Sequence, residues 1–215
     1  VGVCAREGIL VDKDLTRACE LFQQAAEQGF APGQFYLGYC CDVGTCVPKD
    51  PVKAAVWYRR AADQGMVAAQ LALGWCYDNG EGVPQDQARA VALYRQAADQ
   101  GYALAQCNLG WFYANGKGVP QDQARAVALY RQAADQGDAA AQCNLGFCYE
   151  NGKGVPQDQA RAVALYRQAA DQGHARAQNN LGMCYANGNG VPQDQARAVA
   201  LYRQAAAQGH AEAQC

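Results

Sequence analysis

The chain has 215 residues, half of them hydrophobic, with 18 basic and 20 acidic residues and a formal net charge of −2. That balance leaves no basic footprint for nucleic acid or for an anionic membrane surface. The apolar runs are only a few residues long, which excludes a helix that inserts into a bilayer.

Repetition decides the fold. Gly29, Gly65, Gly101, Gly137, Gly173 and Gly209 recur every 36 residues, and GVPQDQARAVALYRQAADQG stands verbatim at 82–101, 118–137 and 154–173. The copy at 190–209 differs only at Ala207, and 11–29 and 47–65 are diverged versions of the same unit. Each unit predicts two helices. The first, about Tyr102 to Ala114 in the central repeat, stops at Asn115-Gly116, where glycine supplies the left-handed conformation that closes a helix. Pro120 blocks continuation and Asp122 stands where an N-cap is wanted. The second helix, about Gln123 to Gln136, stops at Gly137. Such short loops make neighbouring helices antiparallel.

Neither helix buries its apolar side alone; stacking of successive pairs does so, which is why repeat proteins need several units. The expected fold is therefore all-α, an α/α solenoid of stacked antiparallel helix pairs. Residues 1–215 form one array of about six repeats. The chain begins and ends inside first helices, so we expect it to be part of a longer protein.

The pattern Ala103, Ala105, Leu109, Gly110, Tyr113, Gly116, Gly118, Val119 and Asp122, then Ala126, Tyr130, Arg131, Ala133, Ala134, Gln136 and Gly137, resembles the Sel-one-like repeat, a relative of the tetratricopeptide repeat. The likeness runs through the whole chain, with departures at Asp12, Cys41 and Cys46. It implies a right-handed superhelix that serves as an adaptor or scaffold. Family members occur in signalling, in membrane-protein quality control and in bacterial proteins that meet host partners.

Nothing predicts an enzyme. His174 and His210 occupy the position after the repeat glycine, which elsewhere holds Phe30, Met66, Tyr102 and Asp138, so it is no dedicated base or ligand. The GKGVPQD segments lack a phosphate-loop pattern. No cofactor or metal is expected. The 11 cysteines fall mostly in columns. Cys4, Cys40, Cys76, Cys148 and Cys184 lie eleven residues past the repeat glycine, inside the apolar arc, and read as small buried hydrophobes. One such cysteine per repeat does not make the short-spaced cluster that zinc needs. The disulfides of a cysteine-rich bacterial branch of the resembled family would fall on Ala98 and Gln106, neither of them cysteine. Local distances allow two other pairs, Cys4 with Cys19 and Cys41 with Cys46. The odd count favours a reducing compartment, the cytoplasm over a secreted or periplasmic one.

The second helices are nearly identical, so what distinguishes one repeat from another lies in the first helices. Counted from the repeat glycine, offsets three, six, seven, ten and thirteen share one arc opposite the core on a helical wheel, and we expect that arc to line the concave face. Offset ten reads Tyr39, Trp75, Trp111, Phe147 and Met183; offset seven reads Tyr36, Ala72, Asn108, Asn144 and Asn180. Aromatic rings beside an asparagine ladder suit a protein or peptide ligand, with the amides bonding its backbone. The expected function is a protein-interaction scaffold. The alternatives are that the offset-ten rings pack between repeats, and that the array is a structural or regulatory segment of a larger assembly or multidomain enzyme.

Overall fold

The computed structural model describes residues 12–45 and 47–208. Among them are eleven α-helices and no strand: α1 (Asp12–Glu27), α2 (Ala31–Val43), α3 (Pro51–Asp63), α4 (Val67–Asn79), α5 (Gln87–Asp99), α6 (Ala103–Asn115), α7 (Gln123–Asp135), α8 (Ala139–Asn151), α9 (Gln159–Asp171), α10 (Ala175–Asn187) and α11 (Gln195–Ala207). Helix ends lie within one residue of those expected from the sequence. The chain divides into two compact units at Gln100–Gly101, so α1–α5 belong to one and α6–α11 to the other. Within each unit consecutive helices pack on one another.

The repeat's punctuation works as its chemistry requires. Asp122, Asp158 and Asp194 accept the backbone N–H of Arg125, Arg161 and Arg197 at 2.9–3.0 Å, satisfying one of the orphan donors at a helix start. The same aspartates pair with those arginine side chains at 3.2 Å. First helices end on left-handed glycines such as Gly116 (φ 65) and Gly152 (φ 66). The second helix α7 closes through Gly137 (φ 90), with Gly137 N–H on Ala134 and Asp138 N–H on Ala133. This double bond pattern is the one that left-handed glycine permits.

The turn after α2, where Cys41 departs from the repeat pattern, keeps the local geometry. Asp50 N–H bonds Cys41 O at 2.8 Å, as Asp122 N–H bonds Tyr113 O at 2.9 Å. Asp50 also caps α3 through Lys53 N–H. The main-chain bond needs no tyrosine, so the substitution leaves the turn intact.

The core of each unit is made of alanines, the leucines of the first helices and the tyrosines of both helices. Ala126, Ala162 and Ala198 are fully buried, as are Ala105, Ala141 and Ala177. Small residues at these crossings let helix axes approach closely, and the remaining volume is filled by rings such as Tyr130 and Tyr166. A second buried feature is polar. Gln106, Gln142 and Gln178 lie beneath the surface and accept from Gln136, Gln172 and Gln208 at 2.8, 2.9 and 3.0 Å. In the other unit Gln34 and Gln70 accept from Gln64 and Gln100 at 2.8 and 3.0 Å. A buried amide needs such a partner, and each bond ties the start of a first helix to the end of its own second helix.

Candidate interaction face of the first helices

The offset-ten residues emerge from the helices to solvent. Tyr39 is 39% exposed, Trp75 45%, Trp111 38%, Phe147 40% and Met183 39%. Cys40, Cys76, Cys148 and Cys184, one position further along, are buried. A rotation of 100° per residue thus carries the chain from the face into the core. Tyr36, Asn108 and Asn144 are half-buried, and Asn180 is buried.

Offset six departs from the arc expected for it. Cys107 is 5% exposed and Cys143 0%; these side chains lie between successive first helices instead of on the open face. The asparagines reach back to them. Asn144 Nδ2 donates to Cys107 Sγ at 3.6 Å and Asn180 Nδ2 to Cys143 Sγ at 3.8 Å. The amide ladder therefore links α6 to α8 and α8 to α10. Asn144 Oδ1 in turn accepts from Arg176 Nη2 at 2.5 Å.

In the second unit these residues surround an open cavity of about 450 Å³. Trp111, Phe147 and Met183 form its apolar wall; Asn144, Asn180, Lys153 and Arg176 supply the polar groups, and Tyr130 and Cys148 lie among its other lining residues. The Lys117 ammonium stands 4.6 Å from the Trp111 ring centroid, and the Lys153 ammonium 4.8 Å from that of Phe147. Both are cation–π contacts on exposed rings. The lining of this recess is divided about evenly between apolar and polar side chains.

The thiols lining the helix interfaces are held neutral. Burial pushes Cys107 up to about 12, and Cys76 and Cys184 up to about 11. Cys40, Cys41, Cys76, Cys107, Cys143, Cys148 and Cys184 are all free. Cys19 is disulfide-bonded, and its Sγ lies 3.4 Å from Cys40 Sγ. Cys4 and Cys46, the expected partners of Cys19 and Cys41, lie outside the described residues. His174 caps α10, its Nδ1 accepting from Ala177 N–H at 3.2 Å; His210 lies outside the described residues. No group of three or more His, Cys, Asp or Glu that could hold a metal ion occurs among the described residues. No described helix is long and apolar enough to cross a membrane.

Helical hairpins repeated every 36 residues define an α-solenoid repeat protein. The Sel1 repeat matches residues 1–30, 31–66, 67–102, 103–138, 139–174 and 175–210, and the chain belongs to the Sel1-repeat family. It is similar to the crystal structure of c5321, a protective antigen present in uropathogenic Escherichia coli strains, with 39% identity and a TM-score of 0.86. The match covers 94% of this chain and 43% of that one, so the chain spans less than half the length of that relative. A Sel1 repeat protein from Oxalobacter formigenes is 35% identical with a TM-score of 0.89, over 94% of this chain and 80% of that one. The immunity protein Pa5087 from Pseudomonas aeruginosa, 22% identical with a TM-score of 0.58 over 92% of this chain and 74% of that one, shares the fold alone. No curated protein matches the chain significantly. Sel1-repeat proteins are in general protein-interaction scaffolds rather than enzymes.

Proposed function

We propose that the chain is a scaffold that binds a peptide or partner protein on the exposed face of its first helices, through Tyr39, Trp75, Trp111, Phe147 and Met183, with Tyr36, Asn108, Asn144 and Asn180 beside them. The observation that carries this reading is the offset-ten column. In each of the five first helices among the described residues it presents a large apolar side chain that is more than a third exposed. Folding alone gives no reason to keep such residues in water, and clustered exposed rings mark interaction sites. Interface anchors are enriched in the same residue types.

The asparagines enter this reading in a reduced role. With their N–H groups on thiol sulfurs, Asn144 and Asn180 offer a ligand chiefly their oxygens, and Asn144 Oδ1 already holds Arg176. The rings therefore supply most of the affinity. A photo-crosslinking residue placed at Met183 captures the partner, whereas one at the exposed second-helix residue Ala164 does not. Equal crosslinking from Ala164 contradicts the assignment of the face.

The length of the E. coli relative favours a second reading, in which this array is one segment of a longer protein and holds a partner for a domain elsewhere in that protein.

A further inference from the structure

Resting on the first-helix face as the binding face, we infer that the second unit's cavity selects an acidic peptide, one carrying an aromatic or large aliphatic residue flanked by Asp or Glu. The repeats differ in charge at three offsets. At offset three the first helices carry Pro32, Ala68, Leu104 and Ala140, and then Arg176. At offset sixteen they carry Thr45 and Glu81, then Lys117 and Lys153, then Asn189. At offset thirteen Asp42 and Asp78 give way to Ala114, Glu150 and Ala186. The second helices α5, α7 and α9 between these positions are identical, and only α3 is diverged. The face of the first unit thus carries Asp42, Asp78 and Glu81, while that of the second carries Lys117, Lys153 and Arg176.

The geometry turns this change of residue into a site. Lys153 and Arg176 line the cavity itself, and no carboxylate lines it. None of Lys117, Lys153 and Arg176 forms an ion pair within the described residues. The carboxylate one turn from Phe147 is Glu150, and its Oε2 is held by Tyr166 O–H at 2.7 Å. Arg176 is oriented by Asn144, and each lysine is laid over a ring of the apolar wall. Positive groups are therefore fixed around a recess that no carboxylate lines, the nearest one on its wall helix, Glu150, being held on Tyr166. Complementary charge at such a rim selects the partner and steers its approach.

The test is calorimetric titration of the full chain with three synthetic peptides of one sequence pattern: Glu alternating with Trp and Leu, the same with Gln for each Glu, and the same with Lys for each Glu. The acidic peptide should bind about tenfold more tightly than the neutral one, as three exposed ion pairs would provide. The basic peptide should not bind. The preference should shrink at high salt, because exposed charges are screened. The K117A/K153A/R176A triple variant should bind acidic and neutral peptides alike while keeping its helical signal and melting temperature. If the neutral peptide binds the parent chain as tightly as the acidic one and Phe147→Ala abolishes both, the face stands and the charge selection falls. Absence of binding by all three peptides also overturns the inference, whereas partner capture that survives Phe147→Ala is what brings down the face itself.

Discussion

The ring of Tyr166 lies so close to Gly146 that a Cβ built on the glycine would stand 2.8 Å from the ring. The same approach joins Gly110 to Tyr130 at 2.8 Å and Gly182 to Tyr202 at 2.7 Å. The glycine nine residues past each repeat glycine thus makes room for the tyrosine of the following helix, and its own backbone is ordinary helix. Gly146→Ala should destabilise the chain by about 1–3 kcal/mol, the usual cost of overpacking. Thermal unfolding checks this. An unchanged melting temperature would mean that the ring moves aside freely.

Gln142 is buried and accepts from Gln172 at 2.9 Å. Gln142→Ala deprives the Gln172 amide of that acceptor and opens a small void. A loss of about 1 kcal/mol is expected, from the lost hydrogen bond, since the exposed Gln172 amide keeps the Gln168 carbonyl. Hydrogen exchange should show faster opening of α8 and α9 first. Gln142→Glu keeps an acceptor for Gln172 but buries a carboxylate and replaces the N–H that faces Ala134 O, so it is predicted to be at least as costly at neutral pH.

The thiols give a prediction in pH. Cys76 and Cys184 are raised to about 11 and Cys107 to about 12, from an ordinary 9.0. Above pH 9 an unfolded chain releases these protons while the folded chain keeps them, which favours unfolding. Their contribution to stability is complete below about pH 9 and is lost as the pH rises through 11–12. Denaturant titrations at pH 8 and pH 10.5 should show the fall, and Cys107→Ala should flatten it. By the same burial, Cys76, Cys148 and Cys184 should alkylate slowly in the native state at pH 8. Rapid labelling of all three would contradict the buried column.

Most of this architecture is legible in the amino-acid sequence because the chain repeats itself. Gly137, Asp122 and Pro120 recur in fixed register, and each is a local stop or start signal whose physics needs no partner. The exposure of Trp111 and Phe147 is legible as well, since variation confined to one helix of a repeated pair points at a surface. A helical wheel treats one helix at a time, however. It puts Cys107 and Cys143 on the open arc, whereas the next first helix covers them. It also leaves the asparagines unpartnered, although Asn144 and Asn180 reach sulfurs 37 positions away. The Gln142–Gln172 pair is a further feature that amphipathic patterning misses, because glutamine counts there as a surface residue. Its signal is the recurrence of glutamine at one offset, as Gln34, Gln70, Gln106, Gln142 and Gln178. The approach of Cys19 to Cys40 joins helices on either side of a repeat glycine, a proximity that local cysteine spacing does not reveal.

Phe147→Ala most directly tests whether the offset-ten rings are a binding surface or a seam between repeats. Affinity for the partner and melting temperature should be measured on the same preparation. Truncating an anchor costs about 2 kcal/mol or more, roughly a thirtyfold loss of affinity. The ring is 40% exposed, so the melting temperature should move by no more than about 2 °C, the shift that under 1 kcal/mol produces in a chain of this size. Retained affinity together with a melting temperature well below that of the parent would contradict the account.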